Sequence, residues 1–317
     1  MTSFAFVFPG QGSQSVGMLD AWGDHPAVRQ TLQEASDALG EDIARLIHDG
    51  PKEALALTTN TQPVMLVAAV AAWRAWKAEG GADPAAMAGH SLGEYSALVA
   101  ADALTLAQAA PLVRLRAAAM QEAVPVGAGA MAAVLGLEAA QVTAICQQAT
   151  AELQAKGTQD VAEAVNFNDP TQTVIAGTRA GVEAAAEALK AAGAKRVLPL
   201  PVSAPFHSSL MKPAADKLRV ALEAVAIQAP RIPVINNIDV AEAGDAAAIR
   251  DALYRQAFGP VRWVETVQAI EARGITHIVE CGPGKVLTGM AKRIAPALSA
   301  AALYDPQTLQ AVKESLA

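Results

Sequence analysis

Cysteine is nearly absent: Cys146 and Cys281 are the only two in 317 residues. That pair offers neither a metal-ligand spacing nor a disulfide framework, so a reduced compartment is expected. Positive charge is also short, with 24 Lys and Arg against 31 Asp and Glu and a formal net charge of −7. No net positive field is available to displace counterions from phosphates, which argues against nucleic acid as a partner. Long apolar runs are missing. The longest, Val64 to Trp73, is closed by Arg74 and falls short of the roughly 18 residues of a membrane span. The first residues have neither a basic start nor a small-residue cleavage site, so no export signal is expected and a cytoplasmic location is. Aromatic residues make up only 4%, and the apolar mass is largely Ala, Val and Leu, which favours helices packed closely on a sheet.

What remains is a globular composition: 52% hydrophobic and 17% charged, enough for a large core. The length suggests about two domain-lengths. Phe4 to Phe8, stopped by Pro9-Gly10, reads as a buried first strand. Helical periodicity covers Ala27 to Leu39 and Gln62 to Glu79, which places Pro63 in a first turn. Ala86 to Ala88 is a short strand before Gly89. Thr105 to Val124 reads as a helix, with a kink or a late start expected at Pro111.

Residues 129–200 have a different rhythm. Strands at Met131–Leu135, Val161–Asn166, Thr171–Ala176 and Lys195–Leu198 alternate with helices at Glu138–Gln154 and Val182–Ala192. The order β-α-β-β-α-β is the ferredoxin-like arrangement. The expected architecture is therefore α/β, an α/β-hydrolase-like core with a parallel sheet over residues 1–128 and 201–317, carrying a ferredoxin-like subdomain at 129–200. The host resumes with helices at Leu210–Val225, Ala246–Ala257 and Val264–Arg273 and strands at Pro233–Asn236 and His277–Glu280. The Ala-rich patches are read as helix faces.

The chemistry concentrates at Gly89-His90-Ser91-Leu92-Gly93, a G-x-S-x-G nucleophile elbow. A strand must turn sharply into a helix there, and small residues on both sides of Ser91 allow it. The helix N-terminus then supplies N–H groups for an oxyanion. A serine needs a base. His90 lies inside the elbow and should point away from the hydroxyl; His25 and His48 read as surface residues, and His277 begins an apolar strand. His207, in an irregular loop before a helix, is the best of the five. A third, acidic member should lie between serine and histidine, yet none of Asp102, Asp160 and Asp169 sits in a convincing loop, which weakens a plain esterase reading. Glu94 reads as stabilising the first turn of its own helix. Asn166 and Asn168 are turn residues or line a cleft mouth. Cys281 is a buried strand end, and Gly282-Pro283-Gly284 a strand-to-helix turn.

Phe6-Val-Phe-Pro-Gly-Gln-Gly-Ser-Gln14, Gly89-His-Ser-Leu-Gly-Glu-Tyr95, Leu115-Arg116 with Met120-Gln121, Val165-Asn-Phe-Asn168, Pro201-Val-Ser203 with His207, and Glu280 followed by Gly282-Pro-Gly-Lys-Val-Leu287 together resemble the malonyl-CoA:acyl carrier protein transacylases of bacterial fatty-acid synthesis. The resemblance implies Ser91 as the acyl-accepting nucleophile and His207 as its base. A main-chain carbonyl at Gln256 would orient the histidine, which accounts for the missing acid. It further implies oxyanion-hole N–H groups from Gln11 and Leu92, and Arg116 paired with the malonyl carboxylate. A planar guanidinium suits that task, since it grips a carboxylate through two parallel hydrogen bonds. Uncompensated burial of such a charge is costly, so water or the Gln11 and Gln256 side chains are expected to solvate it.

The implied partners are malonyl-CoA and, transiently, acyl carrier protein, with no metal and no cofactor. A monomer is expected. Carrier proteins are acidic and this chain is net negative, so docking would use local basic clusters: Lys190, Lys195 and Arg196, or Lys285, Lys292 and Arg293. Two alternatives remain open. A serine thioesterase on the same scaffold would have no need of Arg116, and a non-catalytic binding module would need neither Ser91 nor His207.

Overall fold

The computed structural model describes residues 2–202 and 204–317, so Ser203 of the Pro201-Val-Ser motif lies outside the described residues. Two sheets organise the chain. Five parallel strands form the first: β1 (Phe4–Phe8), β2 (Ala86–Gly89), β7 (Val234–Ile235), β8 (His277–Cys281) and β9 (Ser299–Leu303), in the order β7-β2-β1-β8-β9.

Strand β1 shows why the sequence adopts this arrangement. All five of its residues are buried, as expected of a strand covered on both faces. Phe4, Phe6 and Phe8 point to one side, where Phe6 meets Trp73 and Trp76 edge-on with ring centroids 5.6 and 5.4 Å apart. Those tryptophans belong to α4 (Thr58–Ala78), an Ala-rich helix with 16 buried residues. Ala5 and Val7 point to the other side, against α11 (Trp263–Ala272) and α12 (Val286–Ile294). The large side chains thus face the broad helix and the small ones the second layer.

Residues 129–200 form the second sheet, from β3 (Gly129–Leu135), β4 (Ala162–Asp169), β5 (Gln172–Thr178) and β6 (Arg196–Pro199), antiparallel in the order β4-β5-β3-β6. Helices α7 (Ala139–Ala155) and α8 (Arg179–Ala191) cover one face through Val142, Cys146, Val182 and Leu189. This is the ferredoxin-like order, and the α/β class with a parallel core sheet is observed.

Several local expectations change. Helix α4 begins at Thr58, so Pro63 is its sixth residue rather than a first-turn residue. The Thr59 carbonyl that Pro63 cannot bond instead accepts a hydrogen bond from the Arg114 guanidinium at 2.6 Å. Helix α6 (Leu106–Glu122) likewise starts before Pro111, fixed by a reciprocal capping box between Thr105 and Gln108. Two short helices, α2 (Ile43–Asp49) and α3 (Lys52–Ala56), and the pair β9 and α13 (Pro306–Leu316) are absent from the sequence reading. Strand β9, Ser-Ala-Ala-Ala-Leu, has the composition of a helix face; pairing with β8 overrides the alanines' preference. His25 is not a simple surface residue: its ring accepts from the Ala27 N–H and caps α1 (Pro26–Leu39).

No helix among the described residues is long and apolar enough to cross a membrane. What positions the site is the strand order. From β1 the chain crosses to β2 on one side and later to β8 on the other, and in open α/β sheets the crevice at such a switch lies beyond the strands' carboxyl ends. Pro9-Gly10-Gln11 and His90-Ser91 both leave the sheet there.

Candidate active site

The nucleophile elbow follows from β2 ending at Gly89 and α5 (Gly93–Ala100) starting two residues after Ser91. The turn is so tight that a Cβ on Gly89 would lie 1.9 Å from the Gly93 carbonyl carbon, and one on Gly93 would lie 2.0 Å from the Phe8 carbonyl oxygen. Ser91 itself adopts a left-handed φ of 53°, a strained conformation for a non-glycine residue. Asn237 holds it there. Its Oδ1 accepts from the Ser91 N–H at 2.7 Å, and its Nδ2 donates to the Gly89 carbonyl at 2.7 Å.

His207, also at a left-handed φ of 65°, places Nε2 2.7 Å from Ser91 Oγ. Its Nδ1 lies 2.9 Å from the Gln256 carbonyl and 3.2 Å from the Gly259 carbonyl. Carbonyls only accept, so the proton sits on Nδ1 and the Nε2 lone pair faces the serine hydroxyl. Burial, reinforced by the charge of Arg116, pulls the His207 pKa down to about 3. The imidazole is therefore neutral and ready to accept a proton across the physiological range.

Arg116 projects from α6 into the same space and is only 2% exposed. Its Nη1 donates to Gln62 Oε1 at 2.8 Å, and its Nη2 donates to Gln256 Oε1 at 3.0 Å and to Ser91 Oγ at 3.2 Å. The guanidinium carbon lies 5.5 Å from the centre of the Tyr95 ring. Burial lowers its pKa, yet an arginine stays charged in proteins. Solvation by amide oxygens was expected, but from Gln11 with Gln256. Gln62 replaces Gln11, whose Nε2 instead reaches Thr58 Oγ1 at 3.4 Å.

Gln256 is fully buried and holds two parts of the site at once. Its Nε2 donates to the Ser91 carbonyl at 2.9 Å and to Glu94 Oε2 at 3.0 Å, which leaves Oε1 for Arg116. Glu94 lies in the first turn of α5, as expected, and makes no capping bond to it. Its Oε2 accepts instead from Gln256 and from the Asn237 N–H at 2.9 Å. Burial pushes its pKa up to about 7, against the opposing pull of Gln256, Asn237 and Arg116.

Gln11 and Leu92 line the cleft beside Ser91 and His207, and Leu92 is the residue from which α5 starts. The cleft encloses about 630 Å³ of space, its mouth included, and runs between the two sheets: Met131 and Asn166 line it from one side, Arg116 and Met120 from the other. The two asparagines part company. Asn168 is buried and its Oδ1 accepts from His90 Nε2 at 2.8 Å, turning that ring from the hydroxyl, while Asn166 lines the cleft. His48, on Asp20, and His277, beside Thr276, are remote from Ser91. Asp102 pairs with Arg231 and Asp169 with Arg293, so neither touches His207. Sequence reasoning missed Gln62 and Asn237. Each is one amide among many polar residues, and no local pattern marks it.

The arrangement can deprotonate a serine beside a buried cation. Comparisons with known proteins agree with that chemistry. The model of an acyl transferase domain matches residues 5–300. A malonyl CoA-acyl carrier protein transacylase of Salmonella typhimurium is 55% identical over 312 residues, covering 98% of this chain and 99% of that protein. One from Escherichia coli is 53% identical over 315 residues, covering 99% and 100%. Among solved structures, an acyl-carrier-protein S-malonyltransferase from Burkholderia pseudomallei superimposes with a TM-score of 0.95 at 62% identity, over 99% of this chain and 100% of that one. A malonyl-transacylase solved in complex with a type II PKS acyl-carrier protein gives 0.95 at 50% identity, over 99% and 100%. With matches of this depth along its length, the chain belongs to the acyl transferase family, among the malonyl CoA-acyl carrier protein transacylases.

Proposed function

We propose that this chain moves a malonyl group from malonyl-CoA to the pantetheine thiol of acyl carrier protein through a malonyl ester on Ser91, feeding fatty-acid synthesis. His207 Nε2 takes the hydroxyl proton as Ser91 Oγ attacks the thioester carbonyl. The Gln11 and Leu92 main-chain N–H groups hold the oxyanion. As the tetrahedral intermediate collapses, the C–S bond breaks and His207 returns its proton to the CoA sulfur. The second half runs in reverse with the carrier thiol: His207 deprotonates it, sulfur attacks the ester carbonyl, and Ser91 Oγ leaves with the proton. One thioester replaces another, so no redox or nucleotide step enters. Water must be kept from the ester, because hydrolysis would waste it.

One observation carries the reading: a nearly fully buried arginine donates to the nucleophile's own oxygen at 3.2 Å. A cation in that place matches an acyl group ending in a carboxylate, and an acetyl group offers it nothing. The Gln256 amide, bonded to both Arg116 and the Ser91 carbonyl, belongs to the same substrate-binding set. Replacing Arg116 with Ala is expected to lower malonyl transfer from CoA to carrier protein by about 100-fold or more, the loss of a paired charge-assisted contact, while acetyl transfer holds or rises. Hydrolysis of malonyl-CoA unaffected by the substitution would instead favour a thioesterase, and equal loss of both transfers would show that Arg116 does not single out the malonyl carboxylate.

In this reading the chain acts as a monomer in the cytoplasm, with residues 129–200 as a subdomain set into a core of 1–128 and 201–317. The carrier protein meets an exposed basic cluster. Lys190, Lys195 and Arg196 are exposed, as are Lys285 and Lys292. Arg293 commits part of its charge to buried Asp169 at 2.8 Å, which leaves the two lysines to serve the second cluster.

A further inference from the structure

Arg116 and Glu94 are joined by a single side chain. Gln256 Oε1 accepts from the guanidinium at 3.0 Å, and Gln256 Nε2 donates to the carboxylate at 3.0 Å. Both charged groups are 2% exposed. The other charged or titratable groups facing Glu94 are few: Tyr95 beside it on α5, and Asp239 in the loop after β7, which is held by Arg255. His207 lies across Ser91 and is neutral. Without substrate, Glu94 and Arg116 balance one another. A malonyl group brings a second carboxylate to the same guanidinium, and two anions would then share one almost wholly buried cation. Such an excess buried charge is relieved by protonation of the weaker partner.

We propose that Glu94 is the resting counter-charge of Arg116 and yields that place, by taking up a proton from solvent, when the malonyl carboxylate arrives. This rests on the assignment of Arg116 to the malonyl group. No bond other than the O–H on Glu94 forms. The Gln256 amide can keep donating to the carbonyl oxygen of the protonated acid, so the geometry around Ser91 is retained while the charge is exchanged. Acetyl groups carry no such charge and leave Glu94 as it was. Its burial already holds the Glu94 pKa at about 7, where a modest further push changes its occupancy.

The test uses Ser91→Ala protein, in which malonyl-CoA binds without reacting, and calorimetry in buffers of different ionisation enthalpy, with acetyl-CoA as reference. Malonyl-CoA is expected to take up about half a proton more than acetyl-CoA at pH 7, rising toward roughly one at pH 8 and falling near zero below pH 5.5. Adding Glu94→Gln is expected to abolish the difference. An equal uptake with and without Glu94→Gln would overturn the proposal, as would no difference at any pH between 6 and 8. So would an uptake that grows below pH 6, since the proton would then be landing on His207. That last arm needs only Ser91→Ala protein and decides the matter even where the double variant does not fold. Adding Arg116→Ala instead separates the two levels. If malonyl-CoA still binds as before, the substrate assignment fails; if binding weakens selectively but no proton moves in its presence, only the counter-charge proposal does.

Discussion

His207 illustrates how far a buried environment can move one side chain. Its ring is held by two carbonyls and faces a guanidinium, so protonation is disfavoured well below the ordinary histidine range. In the proposed reaction the neutral imidazole is the active form, and it persists as pH falls until the depressed pKa of about 3 is approached. The acid limb of kcat/KM assigned to this base is therefore expected well below pH 6, and a stopped-flow pH profile of acylation measures it; a limb at the free histidine value near 6.5 would contradict the account. Removing the nucleophile or base is expected to cost roughly 10⁴-fold or more in transfer rate for Ser91→Ala and His207→Ala alike, with the double variant little worse than either. The residues of the elbow and His207 were legible because chemistry restricts them to a motif or to one of five histidines. Arg116 was legible only through a resemblance, since by itself it is one charge on a helix. Gln62 and Asn237 could not be read at all: their roles exist only after residues 54 and 146 positions away from Arg116 and Ser91 have been brought beside them.

Strands and helices were easier where the local signal and the tertiary context agree. Phe4 to Phe8 is strand by both its apolar run and its two covered faces. The βαββαβ rhythm of 129–200 survives because each element there is bounded by turn residues. Signals failed where packing outweighs preference, as in the alanines of β9 and the proline inside α4, where Arg114 makes good the lost bond. The opening of α13 was present but unread: Asp305 before Pro306, with Thr308 completing a capping box. Thr105→Ala removes the cap of the helix that carries Arg116 and is expected to cost about 1 kcal/mol in denaturant unfolding, with a smaller fall in malonyl transfer. Gly93→Ala is different, because its Cβ would meet the Phe8 carbonyl oxygen, a backbone atom that cannot step aside. A loss of about 3 kcal/mol or more is expected, together with loss of acylation in whatever remains folded; calorimetric melting and a malonyl-transfer assay check both.

At the scale of the molecule, the cleft exists because two sheets meet. The edge of β4 bonds to the core through Phe167 N–H to the Val261 carbonyl at 3.0 Å and Val261 N–H to the Val165 carbonyl at 2.8 Å. Asp169 with Arg293, and Glu163 with Ser209, add side-chain ties across the same junction. One wall of the cleft therefore comes from residues 129–200, and Ser91, Arg116 and His207 from the remainder. The surface of this assembly is net acidic, so attraction of an acidic carrier has to be local. Reversing Lys285 and Lys292 to Glu is expected to raise the KM for carrier protein several-fold while leaving that for malonyl-CoA within twofold; unchanged KM values would move the docking site elsewhere.

In the proposed reaction Ser91 carries the acyl group between two thiols as a covalent ester. Intact-protein mass spectrometry after mixing with malonyl-CoA, followed by peptide mapping, reads it directly. One malonyl adduct is expected, located on Ser91, absent in Ser91→Ala and discharged on addition of pantetheinylated carrier protein with the malonyl group recovered on its thiol. Transfer that proceeds without any adduct, or an adduct that only water removes, would rule that reaction out.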